Sequence, residues 1–216
     1  MEVLKREYYT YEEWMSLDDS LLSELIDGQI AMMAPPSMRH QKISGALHGM
    51  LWAFLRGEPR EVFHPPFGIR LAKDEDTVVL PDITVVCALS KLTKEGCTGA
   101  PDMVVEVLPP SASRYDKSVK FNKYLQAGVR EYWIVDPQDE TVVVRILKNG
   151  EYMTRIYVKE DTVILTHENI FVGLRPTIAK NLSVFVCVSS QQPARKVHFF
   201  SRLSIVYLCW KAVLLT

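Results

Sequence analysis

Two apolar runs of this chain each carry a carboxylate where a strand interior would exclude water, and that limits the folds open to it. Asp82 lies in Val78-Val79-Leu80-Pro81-Asp82-Ile83-Thr84-Val85-Val86, and Glu106 in Met103-Val104-Val105-Glu106-Val107-Leu108. A charge inside such a strand costs several kcal/mol unless it is paired or coordinated to metal. Taken singly, each acid is equally well read as a strand end or an exposed edge. Together they fit one site, because hydrogen-bonded neighbouring strands lie about 4.8 Å apart and an Asp on one can share a hard cation with a Glu on the next. Mg²⁺ takes one or two carboxylates and completes its octahedron with water and phosphate oxygens. Asp102 competes for the role, but four residues along a strand put it about 13 Å from Glu106. It reads instead as the residue leading into the strand.

The surrounding pattern is mixed. Thr10-Tyr11-Glu12-Glu13 fits a capping box opening a short helix, with Trp14 and Leu17 facing inward. Residues 24–33 read as a hairpin around Asp27-Gly28, a dipeptide suited to a tight primed turn. After Pro35-Pro36, Ile43, Leu47, Met50/Leu51 and Phe54 have helical spacing, which predicts a helix over 37–55 ended by Gly57 and Pro59. Strand-like runs follow at 61–71, 77–87 and 102–108. Ser113-Arg114-Tyr115-Asp116 opens a second helix stopping at Gly128, and strands follow at 131–136, 141–147 and 152–158, the last two joined by Asn149-Gly150. This order predicts an α/β or α+β fold, a mixed central sheet flanked by helices with an added N-terminal helix and hairpin.

Composition narrows the function. The chain has 216 residues, 48% hydrophobic and 24% charged, which excludes wholesale disorder and fibrous repeats. A net charge of −1 excludes coating nucleic acid through bulk positive charge. Cys87, Cys97, Cys187 and Cys209 form no CxxC pair, so a zinc ribbon is not expected and reduced thiols in the cytoplasm are. The start of the chain lacks the apolar segment of a signal peptide, and the apolar run Leu203–Trp210 is too short for a bilayer. No membrane partner is expected. The segment 181–216 holds four of the 25 Lys and Arg and none of the 26 Asp and Glu, so residues 1–180 carry −5. That contrast suggests a domain over 1–180 and a tail over 181–216, read as an extension, a docked element or a dimer contact.

Phosphate chemistry at a cation usually needs a positive side chain as well. The position two beyond Glu106 is Leu108, which cannot serve. The next helix offers Asp116, Lys120 and Tyr124 on one i, i+4, i+8 stripe. Asp116 reads as a capping acid, Lys120 as open to a site role, and Tyr124 as a hydrogen-bonding neighbour. His40 shares the register of Ile43 and Leu47; the simpler reading is a packed, hydrogen-bonded histidine, and a site role stays open. Trp133, among β-branched neighbours, reads as core.

These residues resemble the Uma family, restriction-endonuclease-like proteins abundant in cyanobacteria and placed in the PD-(D/E)xK nuclease superfamily. The match rests on Pro81-Asp82, on Ala100 to Leu108, on Asp116 and Lys120, and on Ala127-Gly128-Val129-Arg130-Glu131-Tyr132-Trp133-Ile134-Val135-Asp136-Pro137. Ser23 to Gly28, Pro35-Pro36-Ser37 and His40-Gln41 resemble its N-terminal signatures. Pro109 departs from the family's usual Ser. The resemblance implies a restriction-endonuclease-like core and Mg²⁺- or Mn²⁺-dependent hydrolysis of DNA. It makes Asp82 and Glu106 the metal ligands and Glu24 the upstream acid, with the superfamily's lysine moved to Lys120 on the helix. It also implies a homodimer, since two-fold symmetry suits cutting both strands of a duplex. Two other classes compete: a catalytically silent binding or assembly module on the same fold, and a cupin-like metal enzyme, which the scattered histidines disfavour.

Overall fold

The computed structural model describes residues 8–17, 22–72, 76–109, 114–158, 163–164, 173–177 and 183–187. The Ser113–Asp116 capping box, Cys209 and the apolar run Leu203–Trp210 lie outside the described residues. The first described element is helix α1 (Tyr11–Met15), capped as its sequence requires. Thr10 Oγ1 accepts from Glu13 N, and the Glu13 carboxylate accepts from Thr10 N. Strands β1 (Ser23–Ile26) and β2 (Gln29–Met32) form the hairpin; Asp27 and Gly28 both have positive φ, 52° and 74°, as a primed turn demands.

Helix α2 (Met38–Leu55) starts where Ser37 Oγ accepts from His40 N. Its Ile43, Leu47, Leu51 and Leu55 are buried against one face of a six-stranded sheet. Burying each of these side chains contributes roughly 1.5–3 kcal/mol.

The run at 61–71 is two strands rather than one: β3 (Glu61–Phe63) and β4 (Gly68–Arg70), in different sheets. Pro65 and Pro66 stand between them, neither with an N–H to give a ladder. The run at 77–87 is likewise split into β5 (Val78–Val79) and β6 (Ile83–Val86), with Pro81 at the crossing. A short strand absent from the sequence reading, β7 (Gly96–Thr98), pairs parallel with β4. Then come β8 (Met103–Val107), helix α3 (Arg114–Ala127), β9 (Glu131–Asp136), β10 (Thr141–Lys148) and β11 (Glu151–Val158).

One sheet runs β2-β1-β5-β4-β7 and the other β11-β10-β9-β8-β6-β3. α2 covers one face of the larger sheet. On the opposite face, Val86, Val104, Tyr132 and Ile134 meet Ile69, Val79 and Cys97 of the smaller sheet and Tyr124 of α3. The observed fold is thus α+β with two mixed sheets and few helices. Strands β12 (Val163–Ile164), β13 (Gly173–Thr177) and β14 (Ser183–Cys187) form a third sheet. Among the described residues no helix is long and apolar enough to cross a membrane.

Candidate active site

β6 and β8 are antiparallel neighbours with Ile83 opposite Val105 and Thr84 opposite Val104. One step further along that register sets Asp82 beside Glu106. The step falls where the chain leaves the smaller sheet at Pro81, so Asp82 has no ladder partner of its own. Its Oδ2 accepts from Val107 N at 2.7 Å and lies 3.1 Å from His40 Nε2. The bond to Asp82 raises the His40 pKa; burial opposes it and the carboxylate charge supports it.

Glu106 points to the face that α3 covers. Its Oε1 accepts from Lys120 Nζ at 3.0 Å and from the Tyr124 hydroxyl at 2.7 Å, both from the predicted helix stripe. Lys120 Nζ also donates to Glu24 Oε1 at 2.9 Å, and that same oxygen accepts Leu80 N at 2.8 Å. Glu24 reaches the site from β1, whose hairpin turn is joined to α3 by a Lys123–Asp27 ion pair. The six residues singled out in the sequence are thus brought together: Glu24 and Glu106 flank Lys120, Tyr124 bonds Glu106, and Asp82, one register step beyond the β6–β8 ladder beside Glu106, is bonded by His40.

The electrostatics are strained toward excess negative charge. Burial pushes Glu106 up to about 7; Lys120 opposes this, and the carboxylates of Glu24 and Asp82 add to it. Burial alone would depress Lys120, but Glu106 and Glu24 outweigh it and hold the ammonium above its ordinary range. Burial, reinforced by the Glu106 charge, raises the Tyr124 phenol well above its usual value and keeps it a donor.

These donors suit a hard divalent cation. Among the described residues, Oδ1 of Asp82 and Oε2 of Glu106 accept no hydrogen bond. No group of three or more His, Cys, Asp or Glu forms a ready-made cage among them either. Two carboxylates with the remaining positions left to water and phosphate match the habit of Mg²⁺ and not that of Zn²⁺.

Asp102 stands at the other end of β8. It accepts from Cys87 N at 2.7 Å and pairs with Arg130 at 3.4 Å, as its place ahead of the strand suggests. Trp133 is buried in the core. Sequence reasoning missed its partner: Trp133 Nε1 donates to the buried carboxylate of Glu131 at 2.7 Å. The apolar run 132–135 is preceded by a buried acid at 131, whose partner in the core no local pattern of the sequence signals.

Fold and site together define a protein of the restriction-endonuclease-like class. A crystal structure of a putative nuclease belonging to DUF820 from Anabaena variabilis has this fold, with a TM-score of 0.60 at 20% identity over 73% of this chain and 88% of that one. Residues 7–182 match Uma2, described as "Putative restriction endonuclease", and the chain belongs to that family. An uncharacterised protein of Synechocystis is 32% identical over 144 residues, 66% of this chain and 75% of its own length. A second from the same organism is 28% identical over 117 residues, 53% of this chain and 66% of that protein.

Proposed function

We propose that this chain is a divalent-metal-dependent endonuclease that hydrolyses DNA phosphodiester bonds. The observation that carries the reading is that Lys120 is held between Glu24 and Glu106 while Asp82 lies beside Glu106 on the neighbouring strand, and among the described residues one oxygen of each strand acid accepts no hydrogen bond. Asp82 and Glu106 would hold Mg²⁺ or Mn²⁺, which when bound supplies Lewis acidity at a phosphoryl oxygen and a water of lowered pKa. The remaining work falls to the chain's own side chains. Lys120, fixed between Glu24 and Glu106, is placed to stabilise charge on the phosphate or orient the attacking water. Tyr124 sets the rotation of the Glu106 carboxylate, and His40 with Val107 N sets that of Asp82.

Plasmid nicking in Mg²⁺ or Mn²⁺, against EDTA, tests this with Glu106→Gln beside the wild type. The variant should cut about 100-fold more slowly or not at all, since the amide loses the charge a cation requires. Equal cleavage by both would remove Glu106 from the mechanism. One observation favours a second reading, a silent binding or assembly module: Lys120 already neutralises one oxygen of Glu106. Titration calorimetry with Mn²⁺ separates the two, because an intact fold that binds no metal supports the module.

A further inference from the structure

We propose that the ridge of α2 leading away from Asp82 is a docking track for a single-stranded segment of nucleic acid flanking the cut, with Trp52 as its stacking platform and Arg56 as a phosphate contact. The proposal rests on the nuclease reading above and extends it from chemistry to substrate path.

Residues four apart on an α-helix form one continuous ridge. On α2 that ridge is His40, Ser44, His48, Trp52 and Arg56, about 24 Å long at 1.5 Å per residue. Each step of four turns the ridge about 40° around the helix, so it passes from the sheet-facing side at His40 to solvent at Arg56. Its first member lies on the candidate site, at 3.1 Å from Asp82. Half-way along, the His48 ring meets exposed His64 edge to face at 5.0 Å between centroids. His64 follows β3 at the same sheet end as Asp82, since Phe63 pairs with Thr84.

Beyond them Trp52 is 49% exposed, and the Arg56 guanidinium stands 5.4 Å from its ring centroid. A half-exposed indole with an arginine over it offers both a π-face for a base and a cation for the adjoining phosphate.

Charge points the same way. From Gly28 to Gly57 the chain has no Asp or Glu, while α2 and its C-terminal cap supply Arg39, Lys42 and Arg56. In a chain of net charge −1 this is a local reversal of sign, complementary to a polyanion. Gly45 and Gly49, on the outward side of the ridge, have open space where a Cβ would stand, so a strand can lie close to the helix backbone. The next acids in sequence are Glu58 and Glu61, the latter opening β3, which runs back beside α2. Stacking on Trp52 needs an unpaired base, which is why the occupant is a single strand and not an intact duplex.

The test uses the full chain and two fluorescein-labelled probes, a 20-mer of deoxythymidine and a 20-base-pair duplex, with Ca²⁺ present and separately in EDTA. Trp52→Ala should weaken binding of the single strand about 5- to 100-fold, the range for loss of one stacking aromatic. Trp52→Phe should stay close to wild type, and the melting temperature of both variants should be unchanged. Arg56→Ala should weaken binding and flatten its salt dependence by about 0.7 in log–log slope. The track is refuted by single-strand affinity equal in Trp52→Ala and wild type, by Trp52→Phe as weak as Trp52→Ala, by an equal loss for the duplex, or by no wild-type binding in either condition. The two proposals fail separately. A wild type that cuts plasmid while Trp52→Ala keeps full affinity removes the track and leaves the nuclease. A wild type that never cuts, yet loses single-strand affinity in Trp52→Ala, removes the nuclease and leaves the track.

Discussion

Lys120 and Glu131 show how differently two buried charges are handled in one molecule. Lys120 has two carboxylate partners and keeps its charge. Among the described residues Glu131 has only the Trp133 indole, which holds its pKa down slightly against a larger push from burial, and the outcome is about 7. The linkage sign follows. The folded state holds the Glu131 proton more tightly than the unfolded chain, whose carboxyl has a value near 4.5. Its contribution to stability is therefore complete below that value and is lost as pH rises toward and through 7. The loss is on the order of 3–4 kcal/mol if the whole shift is expressed. Glu131→Gln keeps an acceptor for the indole and removes the titration. Urea unfolding in EDTA between pH 4.5 and 8 should show a shallower fall in stability for the variant than for wild type. The remaining slope belongs to Glu106 and His40, both shifted in the same direction, less an opposite contribution from His48, whose pKa burial lowers. Parallel curves for wild type and variant would mean that Glu131 is already neutralised by other means.

At the scale of elements, the hairpin β1–β2 delivers Glu24 to the site, and its turn is the tightest point in that delivery. Gly28 has φ +74°, and a Cβ there would sit 2.3 Å from the ring of Tyr8. Tyr8 in turn donates to Asp76 at 2.8 Å, and Gly28 N donates to Asp76 O, so the ring has little freedom to give way. Gly28→Ala should cost about 2 kcal/mol from backbone and clash together, read as a fall of several degrees in melting temperature. An unchanged melting temperature would show that Tyr8 moves aside at no cost. The turn itself was legible in the sequence, because Asp-Gly between alternating apolar residues has one common solution. The helices were legible for the same local reason, through their caps and their 3.6 period. The two long strand runs were not read correctly: periodicity does not reveal that Pro65-Pro66 and Pro81 carry the chain from one sheet to another. That crossing is what frees Asp82 from the ladder and turns it toward Glu106. The pair Lys120–Glu24, 96 residues apart in the chain, was accessible only through the family resemblance, since no local pattern joins a hairpin to a distant helix.

On the scale of the whole molecule, the candidate chemistry is confined to a part of the chain. Glu24 and Tyr124 bracket every site residue, and the family match ends at residue 182. From the loss of acidic residues after Lys180 we propose a domain over 1–180 and a tail over 181–216. β14 bears on where that boundary falls, because Ser183–Cys187 pairs antiparallel with Gly173–Thr177 across it. Two truncations, after Lys180 and after Cys187, separate the questions of chemistry and folding. Both should bind Mn²⁺ and nick plasmid as the full chain does, since both keep every residue of the candidate site. The shorter form loses the β14 partner of β13 and exposes that edge. If it melts cooperatively at the full-chain temperature, the third sheet contributes nothing to the core and the boundary stands at 180. A lost transition in the shorter form alone moves the boundary beyond β14. Light scattering on the same set tests the proposed homodimer: a monomer in every form would end the two-fold pairing, and a dimer lost only on truncation would assign the contact to residues 181–216.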